Sequence, residues 1–337
     1  MTKLNARTNP YIIGTPIREV DKLFGREDSF IYIDEILKDY FKEENKPQNQ
    51  TQSLKVILLP GQRRIGKSSV LQNLKKKLAD NNNNLVFVIV DLQDHSQSSV
   101  SKIFHYFAEE IITSLDLDTD RIIAPTNEAL NTNSDIFYRE FLPEIYGEIE
   151  NKNLVLLIDE FDVVDNDDFH KILQQSLRYN AKLCIIAVVG KNMTIADNVT
   201  YFFKDSQPRK IALLEDSRAK ELITQGERSP LSFEQDAITK ILQLTAGHPY
   251  FIQVMCFTLF EQAKDEDNWN VTSQNVENII DKAIRSAGGP LSDFWKNWCI
   301  LERVVMSTVA EAQERASEPN QVEPKEPLNL LKEYGII

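Results

Sequence analysis

Glycine, cysteine and positive charge are all scarce in this chain of 337 residues. Only 11 glycines and three cysteines are present, and acids outnumber lysine and arginine by 51 to 38, for a formal net charge of −13. The acidic balance argues against non-specific nucleic-acid binding as the main task, because neutralising phosphates needs a basic excess. No apolar run reaches 18 residues, so the sequence offers no membrane span. The first ten residues are polar and lack the apolar core of a signal peptide. Cys184, Cys256 and Cys299 lie far apart in apolar surroundings, as buried thiols of a reducing, cytoplasmic compartment do, and not as a disulfide or zinc framework. What remains is ordinary globular material, 42% hydrophobic and 26% charged, with a length that suggests about two domains.

Short apolar runs and helical patterns alternate through the first two thirds of the chain. The runs are Val56–Leu59, Leu85–Val90, Leu154–Ile158, Leu183–Val189 and a weaker Ile211–Leu214. They are rich in valine, isoleucine and leucine and do not alternate with polar residues, as expected of strands buried on both faces of a parallel sheet. Helical patterns lie between them, at 68–79, 100–115, 135–150 and 169–180, which predicts a three-layer α/β/α domain over residues 54–215. Residues 1–53 form an N-terminal segment that ends in an amphipathic helix and a polar loop. From 216 to 287 the patterns are helical throughout and predict a second, all-helical domain. Gly288-Gly289-Pro290 breaks it from a last section, 290–337.

Two motifs carry chemistry. Gly61-Gln62-Arg63-Arg64-Ile65-Gly66-Lys67-Ser68 fits G-x-x-x-x-G-K-[ST] without a gap, between a strand pattern and a helix pattern. Such a loop turns successive backbone N–H groups toward phosphates. Its lysine reaches the β- and γ-phosphates, and its serine hydroxyl reaches Mg²⁺. Ser69 follows in the first turn of the helix, whose N-terminus favours an anion. The second motif is Leu154-Val155-Leu156-Leu157-Ile158-Asp159-Glu160-Phe161-Asp162, a buried strand that delivers acids to the carboxyl edge of the sheet. Asp159 is the candidate metal ligand opposite Ser68. Glu160 is the candidate to polarise an attacking water, and Asp162 either supports the metal or caps the next helix. The strand Leu183–Val189 is expected between the two motif strands. Lys191 and Asn192 just beyond it then have two open readings: contacts to the γ-phosphate or its water, or a plain polar strand end.

With these motifs in place the chain resembles the STAND class of AAA-related P-loop ATPases, in its prokaryotic, archaeal-type branch. Leu23-Phe24-Gly25-Arg26-Glu27 is similar to the G-R-E signature ahead of the phosphate loop, and the resemblance places Phe24, Gly25 and Arg26 near the adenine. Gly247-His248-Pro249 is similar to the G-x-P motif of the helical lid and implies that His248 and Pro249 face the nucleotide. On physics alone the same triplet is a helix stop followed by a proline that starts the next helix. Trp295, Glu302 and residues 328–337 resemble the start of a winged-helix region that ends early, as in a fragment of a longer protein. The family often has arginine where Lys191-Asn192 stands, and Arg209 reads as a surface charge.

The resemblance implies ATP or ADP with Mg²⁺, slow hydrolysis, and a nucleotide-driven switch in signalling or prokaryotic defence, working through self-association or sensor and effector domains. A DNA-directed ATPase of initiator type is the alternative, and nucleic acid is the less favoured partner. Residues 290–337 hold five basic and eight acidic side chains, whereas a DNA-reading module is usually basic. A nucleotide binder without turnover would not require Glu160.

Overall fold

The computed structural model describes residues 8–42, 54–79, 83–190 and 208–297, together with 300, 303–305 and 307. Its contacts divide the chain into two compact units, Met1–Ile279 and Ile280–Ile337.

The first unit is built on four parallel strands, β1 (Val56–Pro60), β2 (Leu85–Asp91), β3 (Asn153–Asp159) and β4 (Leu183–Val189), in the order β1-β4-β3-β2. Every residue of β3 and β4 is buried, which explains why their sequences show no polar alternation. The pleat divides their side chains between two cores. Leu154, Leu156, Ile158, Leu183, Ile185 and Ala187 face one core. Val155, Leu157, Cys184, Ile186 and Val188 face the other. The first core is completed by α3 (Val100–Ser114), α5 (Leu142–Glu148) and α6 (Asp167–Tyr179), the second by α1 (Glu27–Lys42) and α2 (Lys67–Ala79). The result is the expected α/β/α sandwich, with β4 between the two motif strands.

Three details differ from the sequence reading. The fifth strand shrinks to one parallel bridge, Gly61 with Ile211. Arg209 and Ile211 donate to Leu58 and Pro60 at 3.0 and 2.8 Å, after which the chain leaves the sheet edge. The helix expected at 135–150 begins as a wide π-type turn, Phe137–Phe141, before α5, and a short α4 (Asn127–Thr132) precedes it. Packing of Phe137 between Phe104 and Phe107 sets that turn, a tertiary effect invisible to periodicity. The helical layer that follows is not purely helical. Between α7 (Asp216–Thr224), α8 (Gln235–Thr245), α9 (Pro249–Glu266) and α10 (Ser273–Asn278), Ser232–Phe233 (β5) and Asn270–Val271 (β6) pair in parallel.

The corner between α8 and α9 ties this layer to the sheet domain. Ala246 and Gly247 both adopt positive φ, +48° and +73°, and Pro249 opens α9. The Gly247 carbonyl accepts from the Leu214 amide at 2.9 Å, and a Cβ at Gly247 would sit 2.3 Å from the Leu214 carbonyl oxygen. Both sides of this contact are backbone and neither can rotate away. Gly247→Ala is therefore expected to cost about 2–4 kcal/mol, from left-handed strain plus the clash. A chemical-denaturation midpoint unchanged from the parent would show that the corner does not carry this contact.

The second unit begins with α11 (Ile280–Ser286) and α12 (Gly288–Asn297). Gly288, Gly289 and Pro290 form the first turn of α12, where proline is tolerated. Of the winged-helix region expected at 290–337, Glu302 and residues 308–337 lie outside the described residues. Among the described residues no helix is long and apolar enough to cross a membrane.

Candidate nucleotide site

At the carboxyl edge of the sheet a cavity of about 340 Å³ opens between the sheet domain and helices α7 and α9. The phosphate-loop motif forms its floor. β1 ends at Pro60, the Gly61 amide donates to Val189 O at 3.2 Å, and the loop curls into α2. Gly66 has φ +99°, a backbone closed to other residue types without strain. Arg63, Arg64, Ile65, Gly66, Lys67, Ser68 and Ser69 line the cavity. Gly61 and Gln62 lie behind them, and the Gln62 carbonyl accepts from Lys67 Nζ at 3.0 Å.

The acidic strand end meets this floor. Asp159, at the end of β3, is buried and accepts hydrogen bonds from the Ser68 hydroxyl and the Glu160 amide. Glu160 lines the cavity and sits in the left-handed region at φ 50° and ψ 43°, a cost of order 1–3 kcal/mol that tends to gather at functional sites. Asp162 does not cap the next helix, whose N-cap is Asn166. Its Oδ2 accepts from the Gly190 amide at 2.9 Å, fixing the end of β3 to the end of β4. Lys191 and Asn192 fall outside the described residues.

Burial dominates the electrostatics. It pulls the Lys67 ammonium below its usual pKa, with Glu160, Asp162 and Asp159 opposing the shift. It pushes Asp159 up, against the Ser68 hydrogen bond and with Asp91 adding to the rise. It also pushes Glu160 up, with Lys67 as the chief opposing charge.

The wall is built by residues that the sequence placed less fully. Leu23, Phe24 and Arg26 line it, while Gly25 stands behind, close to Leu214 and Arg218. Arg26 is buried and works on the backbone: its guanidinium donates to Ile65 O at 2.7 Å and Ala212 O at 2.9 Å. Desolvation lowers its pKa to about 10. It thus clamps the phosphate loop to the chain entering the helical layer. Pro249 lines the cavity, but His248 does not. His248 is buried at the N-cap of α9, its ring tilted against Phe251 with centroids 4.7 Å apart. Burial, with Arg26 nearby, lowers its pKa to about 4 and keeps it neutral.

A segment that sequence reasoning missed completes the site. Ile12, Gly14, Thr15, Pro16 and Ile17 line the cavity as a strap. One end is held by α7 and α9: the Tyr11 hydroxyl bonds to Ile223 O and Ser229, and the Ile12 amide donates to Gln253 at 3.1 Å. The other end is held by α2, through Ser69 Oγ to the Ile17 amide at 3.0 Å and Asn73 to the Ile17 carbonyl. Tyr250 and Gln253 from α9, Leu222 from α7 and Leu214 also line the cavity, as does Gln93 after β2. The available signal was Tyr11-Ile12-Ile13 before Gly14 and Pro16, an apolar run too short to show a period.

The parallel sheet with the phosphate loop at its carboxyl edge is an α/β P-loop NTPase fold. Among solved structures the chain is similar to the Orc1 protein of Aeropyrum pernix in complex with DNA, at 12% identity and a TM-score of 0.55, over 93% of this chain and 84% of that one. It is also similar to PCH-2 of C. elegans, at 14% identity and a TM-score of 0.47, over 78% and 69% of the two chains. No family model matches the chain, and no curated protein matches it by sequence.

Proposed function

We propose that this chain is a Mg²⁺-dependent ATP hydrolase whose nucleotide state sets the relation between the sheet domain and helices α7–α10. The observation that carries the reading is the meeting of Lys67, Ser68 and Glu160 at one cavity beneath α9, with the buried Asp159 next to Ser68. The floor offers backbone N–H groups, one buried ammonium and a helix N-terminus, a combination suited to a polyphosphate. Ile12, Pro16, Ile17, Leu23 and Phe24 offer an apolar slot for a base.

Ser68 and Asp159 would hold Mg²⁺. A hydroxyl and a carboxylate already hydrogen-bonded to each other form an all-oxygen pair that suits a hard cation. When bound, the ion neutralises charge on the phosphates. Lys67 then holds the terminal phosphates, and Glu160, as carboxylate, accepts a proton from water at the cavity mouth. Leu214, Leu222 and Pro249 bring the helical layer into contact with the same ligand, so bound nucleotide favours one placement of that layer. Self-association and a role in signalling or prokaryotic defence, as in the STAND class, belong to this reading through the motif resemblance.

A second reading, a DNA-directed ATPase, draws on the likeness to Orc1 over 93% of the chain. One experiment separates them: phosphate release from ATP, with and without duplex DNA, at two salt concentrations. Turnover indifferent to DNA supports the switch. Stimulation by DNA that fades as salt rises supports the second reading. Absence of turnover under every condition removes both.

A further inference from the structure

Arg64 stands apart from the other cations of the site. It lies inside the phosphate-loop motif, lines the cavity beside Lys67, and has φ +58°. Its guanidinium carries five N–H donors, yet among the described residues it makes no hydrogen bond or ion pair. Its Nε is buried with no hydrogen-bond partner. What it does have is a ring: its Cζ lies 4.8 Å from the centroid of Tyr250, the second residue of α9, which lines the same cavity. The loop expected to grip phosphates therefore commits one cation to the face of an aromatic on the opposing helix.

We propose that Arg64 is a latch between the phosphate loop and α9: its guanidinium exchanges the Tyr250 ring, which it holds in this structure, for the phosphate oxygens of a bound nucleotide. The inference rests on the nucleotide reading above and adds its regulation. Phosphate oxygens satisfy a guanidinium through two parallel charge-assisted hydrogen bonds. An aromatic face satisfies none of its N–H groups. The buried, unused Nε marks the ring-bound form as the one with hydrogen bonds still to gain. Because Arg64 cannot sit on both partners, nucleotide binding and the loop–α9 contact compete. Arg26 to Ile65 O and the Leu214 amide to Gly247 O are ties that do not engage the Arg64 side chain.

The test is a double-mutant cycle on the full chain, with ATP affinity read by calorimetry. Tyr250→Leu removes the competing ring and should tighten ATP binding roughly two- to thirty-fold, the range equivalent to one cation–π contact. Arg64→Ala should weaken binding, and in that background Tyr250→Leu should give no gain. Tyr250→Trp presents a better π face and should weaken ATP binding. It decides the matter if Tyr250→Leu fails to fold. Unchanged or weaker binding by Tyr250→Leu, or a gain that persists without Arg64, overturns the latch alone. A parent chain that binds no ATP overturns the nucleotide reading and the latch with it.

Discussion

Glu160→Gln is expected to retain ATP binding and to slow hydrolysis about a hundred- to ten-thousand-fold, the usual contribution of a positioned general base. The substitution keeps the shape of the side chain and the left-handed turn after β3 while removing the carboxylate that accepts the proton. The environment supports the assignment. Burial raises the Glu160 pKa, and only Lys67 and Arg63 pull it down. A raised value makes the carboxylate a better base, and it displaces the acid limb of turnover above the ordinary glutamate range: activity falls as pH falls through that pKa. Single-turnover phosphate release across pH, paired with calorimetric binding, measures both consequences. Equal turnover in the variant would remove Glu160 from the mechanism.

Lys67→Ala should lose ATP binding by about a hundred-fold or more, because two charge-assisted contacts at about 1.5–3 kcal/mol each disappear together. Lys67 is 5% exposed, and its ammonium already suffers a lowered pKa from burial. Its one direct hydrogen bond is to Gln62 O, with Glu160, Asp162 and Asp159 opposing the shift, and a terminal phosphate would add charge-assisted contacts. The same substitution removes the main positive influence on Glu160, so any residual turnover should show its acid limb moved further up in pH. Calorimetry with ATP is the direct measurement, and unchanged affinity would refute the phosphate-loop assignment.

The sheet was legible because its strands are buried on both faces. Runs such as Leu183–Val189 have no other stable home, and the two motifs place their strand ends at one edge. The order β1-β4-β3-β2 follows the expectation that β4 separates the motif strands. The fifth strand does not form as the pattern predicts: Ile211 and Leu214 are buried, but against a sheet edge and a helix corner and not in a ladder. Local pattern also cannot show who receives a donor. Arg26 was placed near the nucleotide, and it does line the cavity, but its hydrogen bonds go to two backbone carbonyls. The strap was invisible for the same reason on a larger scale. Its partners lie in α2, α7 and α9, and nothing in Thr15-Pro16-Ile17 names them.

That strap also bears on the order in which the molecule is assembled. Residues 9–12 precede their partners in α7 and α9 by 212 to 252 positions, so no contact of theirs can form while the chain between is still being made. Closing so long a loop is entropically the most demanding contact of its kind and is repaid only once the helical layer has formed. The segment nearest the N-terminus is therefore among the last to be placed. That wall of the cavity cannot be complete before Tyr11 finds Ile223, whereas β1, β3 and β4 beneath it find their strand partners within residues 54–190.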